Sequence, residues 1–358
     1  MATARRSNLL AVLLSLLILV AALLVVDLAA SAYIQRVVMG LGISIILVVS
    51  LNLLNGFTGV FSLGQVGFMA IGAYTAAILT LPISLKSVNL PELPAWLGEV
   101  QAPFLLATLA GAILATVIAF LVGLSLMRLT GPYVAVATLG FLVIVQVILI
   151  NWDRMTRGAR TFSGVPPYTT LWWVWGWAVL TTYVVWRLVR SAYGRRMMAV
   201  RDNEVAAQAL GVSVMRARLL AFCVSAFFAA IAGSLWAHFF TSFSPKAFYF
   251  AETFSIITML VIGGMGSISG SIVGVVFVTL LSEILRNAER GINLGFLTIP
   301  PVYGASQIIM SVIFVLAIIF RPKGLLGGRE LDLGRLLPGR NRRAEAESRA
   351  VGGDERPS

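Results

Sequence analysis

Long apolar runs separated by short polar stretches recur along almost the whole chain. At about 1.5 Å per helical residue, a run of about twenty residues crosses the roughly 30 Å hydrocarbon core of a bilayer. The pattern predicts an all-α polytopic membrane protein with about ten transmembrane helices, near 8–28, 37–55, 57–80, 103–126, 133–151, 170–189, 217–240, 253–268, 270–286 and 304–320. The first run exceeds a typical signal-peptide core, so we expect a retained helix.

The composition excludes a soluble globular protein. Apolar residues make up 59% of the 358 residues and charged residues 12%, with a mean hydropathy of +0.92. Soluble domains have about 45–50% apolar and about 25% charged residues. The net charge of +12 lies mainly in loops and in the C-terminal segment, where basic residues orient a membrane protein. No nucleic-acid partner is therefore expected.

The basic residues also predict the orientation. If all ten runs cross, most of the 27 Lys and Arg residues share one side with the two termini. The positive-inside rule then places both termini in the cytoplasm, and the arginine-rich loop at 187–218 decides this assignment. Residues 328–358 mix Arg, Glu, Gly and Pro, and we expect a disordered cytoplasmic tail.

Residues for catalysis or metal binding are scarce. Cys223 and His238 are the only cysteine and histidine, and no lysine follows glycine as in a phosphate-binding loop. We therefore expect no catalytic residue, metal or cofactor, and no ATP site on this chain. His238, at the end of an apolar run, is interpreted as a residue of the membrane interface.

Two stretches rich in glycine and small polar residues interrupt the apolar pattern. Irregular backbone at membrane depth is tolerated only where protein buries it or water reaches it, so the stretches predict either helix breaks along a pathway or close helix packing. Their positions in runs of opposite direction favour two inverted halves, roughly 37–151 and 217–320. The candidate pathway residues are Asn52, Asn55, Thr58, Gln65 and Ser267, and the helix-break glycines are Gly56, Gly59, Gly64, Gly67, Gly263, Gly264 and Gly266.

The loop at 190–216 carries a short predicted helix. Asp202 suits its N-cap, Glu204 its first turn, and Gly211 the position just after its end. An apolar face follows from Val205, Ala206, Ala209 and Leu210. From residue chemistry alone, this helix either docks onto a partner or lies on the membrane surface.

The spacing of Glu204, Ala206, Ala207 and Gly211 resembles the Glu-Ala-Ala…Gly loop of ABC importer permeases. The resemblance widens to the branched-chain amino-acid permeases, most closely the LivM-type subunit, through motifs at 52–65, 70–74, 131–139, 151–166, 199–204, 219–222, 229–233, 244–245 and 261–267. Gln65 departs from the family pattern, which usually has histidine there.

This resemblance implies the ABC importer permease fold and a permease subunit of a five-part importer in a bacterial-type inner membrane. Its partners would be a second related permease subunit, two ATP-binding subunits and an extracytoplasmic solute-binding protein. Glu204, Ala206, Ala207 and Gly211 would couple it to the ATP-binding subunits. Residues 1–36 would form an N-terminal transmembrane helix with a short outer loop, 37–327 the permease domain, and 328–358 the tail.

Alternatives remain open at this stage. The substrate is a branched-chain amino acid, another amino acid, or urea or a short amide, and the permease pair is a homodimer or a heterodimer. Carboxylates near the ends of runs, Asp27, Glu252 and Glu283, also suit an ion-coupled secondary transporter.

Overall fold

The computed structural model describes residues 17–289, 292–293, 298–299, 304–321 and 324–326. Residues 1–16, which include the start of the first predicted run at 8–28, and the predicted tail at 328–358 lie outside these ranges. Residue contacts divide the chain into two units, 36–329 and a second one made of 1–35 and 330–358. In the second unit, the side-chain amide Nε2 of Gln35 donates hydrogen bonds to the carbonyls of Val26 and Asp27, at 3.4 and 3.0 Å.

Helices dominate the described residues. In chain order they are α1 (Leu17–Ala29), α2 (Ala32–Asn52) with a π-helical turn (Leu53–Phe57), α3 (Gln65–Thr80), α4 (Ile83–Asn89), α5 (Ala95–Gly98), α6 (Phe104–Leu126), α7 (Tyr133–Asn151), α8 (Asp153–Thr156), α9 (Leu171–Arg190), α10 (Ala192–Asp202), α11 (Glu204–Ala209), α12 (Val214–Phe240), a 3₁₀ turn (Pro245–Ala247), α13 (Phe250–Gly263), α14 (Ile268–Glu289) and α15 (Ala305–Phe320). Two short antiparallel pairs join β1 (Phe162–Ser163) to β2 (Ser242–Phe243) and β3 (Ile292–Asn293) to β4 (Thr298–Ile299).

Within the described ranges, six helices are long and apolar enough to cross a membrane, or seven if the bent pair α3–α4 counts as one span. The polytopic membrane prediction is therefore confirmed at this coarser level. A helix also lies in each of the other predicted runs, but α15 has 16 residues and the described part of α1 is shorter still. In the run predicted at 57–80, α3 begins only at Gln65, and the glycine-rich residues before it lie outside this helix.

Small residues form the centre of the bundle, where α3, α6 and α12 pack against one another. A β-carbon placed on Gly72 of α3 would lie 2.1 Å from the carbonyl oxygen of Ala230 in α12. On α6, one placed on Gly111 would lie 3.1 Å from the Gly72 oxygen. Glycine therefore brings three helix backbones together, a packing mode typical of membrane helices.

Buried polar contacts reinforce this three-helix centre. The hydroxyls of Thr108 and Ser234 lie 2.7 Å apart and join α6 to α12. The His238 ring is buried, with Nε2 2.7 Å from Thr80 Oγ1 and Nδ1 2.8 Å from the Ser234 carbonyl oxygen. Neighbouring helices cover the His238 ring in the last turn of α12, and its place at the membrane interface stays a prediction.

Lys86 holds one of the connections between the long helices. Its buried side chain on α4 donates a hydrogen bond from Nζ to the carbonyl oxygen of Leu97 in α5, at 3.0 Å, and another to that of Val100. The chain bends by 118° between α3 and α4, and this contact fixes the segment that follows the bend.

The close approach of α12 and α3 predicts that Gly233→Ala lowers the stability of the fold. The added β-carbon would lie 1.9 Å from the Met69 carbonyl oxygen, and overpacking of this kind costs about 1–3 kcal/mol. Gly140→Ala in α7 is the matched control, since nothing lies within 4 Å of its β-carbon. Thermal unfolding in detergent is expected to show a lower midpoint for Gly233→Ala only; equal midpoints would contradict this packing.

Candidate functional site

The first glycine-rich stretch breaks the chain between α2 and α3. After the π-helical turn, residues 58–64 are not helical, and Gly59 adopts a φ of +73°, which favours glycine. Side chains supply the missing backbone partners: Asn55 Oδ1 accepts from the Ser62 amide at 3.0 Å, and Thr58 Oγ1 donates to the Leu53 carbonyl at 2.9 Å. The break is thus held by buried hydrogen bonds from two of the predicted polar residues.

The second stretch breaks the chain between α13 and α14. Gly264 and Gly266 have φ values of +111° and +81°, in the region where residues with side chains are strained. Ser267 Oγ accepts a hydrogen bond from the Gly270 amide at 3.0 Å and so caps the start of α14. The helix is interrupted in both stretches, although three of the predicted glycines are helical: Gly56 lies inside the π-helical turn, Gly67 inside α3 and Gly263 at the end of α13.

Asn52 joins the two breaks. Its buried amide Nδ2 donates to the Ser267 carbonyl at 2.9 Å and to Ser271 Oγ at 2.8 Å, while Oδ1 accepts from the Gly266 amide at 2.9 Å. A β-carbon on Gly56 would lie 2.3 Å from the Gly266 nitrogen, so the two backbones touch. We call residues 52–59 and 264–271 together the break junction.

Gln65 has a different environment from the break junction. Its Nε2 donates to Ser50 Oγ at 2.9 Å and to the Ser225 carbonyl at 3.2 Å, and its Oε1 accepts from Ser225 Oγ at 2.9 Å. These buried bonds tie α3 to α2 and α12. The candidate pathway residues therefore all make interhelical or loop hydrogen bonds, which supports their packing role; lining of a pathway stays a prediction.

The loop at 190–216 contains the short helix that its sequence predicts, with one difference in the cap. Asn203 Oδ1, and not Asp202, accepts from the Ala206 amide, at 3.0 Å. Asp202 ends α10 and pairs instead with Arg201 at 2.9 Å, because the backbone turns extended one residue later, at Asn203.

At its other end α11 stops on Gly211, whose φ is +79°. The Gly211 amide donates to the Gln208 carbonyl and the Val212 amide to the Ala207 carbonyl, both at 2.9 Å. This pair of hydrogen bonds is the Schellman motif, which terminates a helix in a fixed geometry. Six residues are too few to form a stable helix alone, so these caps and the packing below hold α11.

Glu204 fixes α11 to α12 through an ion pair. Its carboxylate Oε2 lies 2.7 Å from Arg218 Nη2, and the Arg218 side chain is only 10% exposed. Arg218 Nη1 also donates to the Leu129 carbonyl at 3.4 Å. Sequence reasoning missed Arg218. It follows Glu204 by fourteen residues, beyond the Gly211 turn, and only the fold shows that the two charges meet.

The two sides of α11 differ in exposure. Ala207 packs inward and is 2% exposed, so it supports the helix from beneath and offers no surface to a partner. Val205 and Leu210 are 77% and 82% exposed, and Ala206 and Gly211 are exposed beside them. The arrangement is a short, rigid helix that presents two large apolar side chains outward.

Arg201 connects this loop to the break junction. Its Nη1 donates to the Gly56 carbonyl at 3.2 Å, and the same nitrogen would lie 3.2 Å from a β-carbon on Gly266. The sequence alone gave no reason to select it among the loop arginines. Within the described residues, no group of three or more His, Cys, Asp or Glu side chains is placed to hold a metal ion.

Comparison with known proteins gives consistent matches. Residues 33–320 match the family model described as the permease component of the branched-chain amino acid transport system. The chain is 30% identical to the high-affinity branched-chain amino acid transport system permease protein LivM of Escherichia coli and 32% identical to that of Salmonella typhimurium, over 79% of this chain and 68% of each relative. It is 31% identical to the autoinducer 2 import system permease protein LsrC of Salmonella typhimurium, over 64% of this chain and 70% of the relative. No solved structure matches the chain.

The break junction predicts that Asn52→Leu strongly destabilises the protein. The substitution removes three hydrogen bonds and leaves the Gly266 amide without that partner, at about 1–3 kcal/mol for an unsatisfied group. Asn151→Leu is the control, because the side-chain amide of Asn151 donates only to the Val147 carbonyl in its own helix. We expect a lower midpoint of thermal unfolding for Asn52→Leu alone; a midpoint shared with the control would remove Asn52 as the link.

Proposed function

Because the chain belongs to the family of permease components of branched-chain amino acid transport systems, we propose that it carries branched-chain or related amino acids into the cytoplasm as one subunit of an ATP-driven importer. Energy would come from ATP hydrolysis on two separate subunits that dock on this chain. A second related permease would complete the pathway, in a heterodimer, and an extracytoplasmic binding protein would deliver the substrate.

The observation that carries the proposal is the outward apolar face of α11. Val205 and Leu210 stand exposed on a helix fixed by Asn203, the Gly211 turn and the Glu204–Arg218 pair. A rigid amphipathic helix with two apolar anchors fits a hydrophobic groove on a partner protein. An ATP-binding subunit is the partner that the family supplies.

We further propose the membrane arrangement. All ten apolar runs cross a bacterial-type inner membrane, both termini are cytoplasmic, and α10–α11 lie on the cytoplasmic side. The two broken helices belong to inverted halves, and rocking of these halves would alternate access to a central path. Residues 37–327 form the permease domain in this arrangement. The contact of the breaks through Asn52 supports it, because irregular backbone at membrane depth needs buried partners.

The substrate is the least constrained part of the proposal. Two relatives are named for branched-chain amino acids, which favours leucine, isoleucine and valine for this chain. Another is named for autoinducer 2, so the permease architecture serves other small polar solutes. Specificity would then rest mainly on the binding protein.

The proposal is tested by uptake of radiolabelled leucine into vesicles that contain this chain with its permease and ATPase partners. We expect uptake only when internal ATP and external binding protein are both present. Excess unlabelled isoleucine and valine should compete, whereas other amino acids that compete equally would change the substrate class. Uptake by this chain alone that collapses with an ion gradient would show a secondary transporter and overturn the proposal.

The docking face predicts that Val205→Asp or Leu210→Asp releases the ATP-binding subunit. Substitutions at exposed sites usually change stability by about 0.5 kcal/mol or less. An apolar anchor at an interface contributes about 2 kcal/mol or more, and its loss lowers affinity about 30-fold. Val88→Asp on α4 is a matched control, with the same residue types and 75% exposure against 77% for Val205.

Co-purification from detergent measures the release, with membrane abundance compared in parallel. We expect Val205→Asp and Leu210→Asp to insert normally and lose the ATPase, while Val88→Asp retains it. Retention of the ATPase by both loop variants would exclude α11 as the docking helix, and would favour a helix that lies on the membrane surface.

A further inference from the structure

The side chain of Arg201 reaches from the loop into both halves of the break junction. Its Nη1 donates to the Gly56 carbonyl at 3.2 Å in the first break. β-Carbons placed on Gly59 and Gly266 would lie 2.8 Å from Arg201 Cγ and 3.2 Å from Nη1. Glycine at these positions therefore leaves the space that the arginine occupies, and one side chain contacts both broken helices.

The neighbouring Asp202 holds the Arg201 guanidinium against the break junction. Asp202 Oδ1 accepts a hydrogen bond from Arg201 Nε at 2.9 Å and lies 2.9 Å from Nη2 in an ion pair, while Nη1 donates to Gly56. Gly56 lies at the C-terminal end of the α2 segment, where carbonyl groups lack partners further along the helix. The helix dipole adds partial negative charge at this end, which favours a cation.

Arg201 also lies close in sequence to the docking helix α11. Arg201 is the penultimate residue of α10, and only Asp202 separates it from Asn203, the N-cap of α11. Asn203 caps α11 by accepting from the Ala206 amide, and it is the one residue between α10 and α11. On the opposite side the Glu204–Arg218 pair ties α11 to α12.

From this geometry we propose that Arg201 is a positioning residue that transmits movement of α11 to the two broken helices. The inference rests on the proposed function and adds the route by which docking of the ATP-binding subunit reaches the pathway. Displacement of α11 shifts the guanidinium, and the guanidinium shifts Gly56 and Gly266 together because Asn52 already joins their segments. The contact acts on backbone that glycine leaves easy to move.

The test compares Arg201→Gln with Arg201→Lys and with Arg216→Gln in the complete importer. Arg216 is an exposed arginine in the first turn of α12, in the same loop, so its variant removes an equal charge. Three quantities are measured for each complex: the amount of ATPase that co-purifies, the leucine taken up per ATP hydrolysed, and amide hydrogen exchange at residues 53–59 and 264–267.

We expect Arg201→Gln to keep the ATPase bound but to lower uptake per ATP by roughly tenfold, within the range of about 5–150-fold typical of coupling between sites. Exchange should rise in both segments of the break junction. Lysine retains a donor for the Gly56 carbonyl, so Arg201→Lys should recover part of both effects. Arg216→Gln should match the unmodified complex.

Two results would overturn the inference alone: uptake per ATP unchanged in Arg201→Gln, or unchanged exchange in both segments. Loss of the ATPase from Arg201→Gln would also overturn it, by making Arg201 a docking residue. A complex without any substitution that shows no ATP-dependent uptake would instead overturn the proposed function, and the inference with it.

Discussion

The three hydrogen bonds of the Asn52 amide are the constraint on which the rest of the structure depends. Two helices are interrupted, and each interruption leaves backbone groups that need partners outside a continuous helix. Asn52 supplies a donor and an acceptor at once, to Ser267, Ser271 and Gly266. Asn55 and Thr58 supply partners to the first break, whereas Asn52, at the end of α2, supplies them to the second and so joins the two segments.

Around this link the protein combines rigid and adjustable parts. The centre of α3, α6 and α12 is packed through glycine, with backbones too close for any larger residue at Gly72 or Gly233. The break junction is instead built from glycine in left-handed conformations, held by side-chain hydrogen bonds. The loop is connected to both parts: Glu204 of α11 pairs with Arg218 of α12, and Arg201 of α10 bonds the break junction.

Much of the local structure was predictable from the sequence, because its causes are local. Runs of apolar residues located the helices, glycines located the breaks, and Gly211 marked the end of α11. One error arose where two similar signals lay side by side: Asp202 and Asn203 both suit an N-cap, and the backbone turn selected Asn203. The burial of His238 against Thr80 was not predictable, because no residue near it in sequence shows that other helices cover its ring.

The sequence by itself therefore determined the membrane class, the apolar segments, the two glycine-rich breaks and the position of the loop helix, since each depends on neighbours within a few turns. Only the tertiary structure decided which polar groups meet. The bonds of Asn52 span 214 to 219 residues and that of Arg201 spans 145, and no local pattern encodes such pairs. The inward position of Ala207 and the exposure of Val205 were likewise settled by how α11 packs, because a six-residue helix has no orientation of its own.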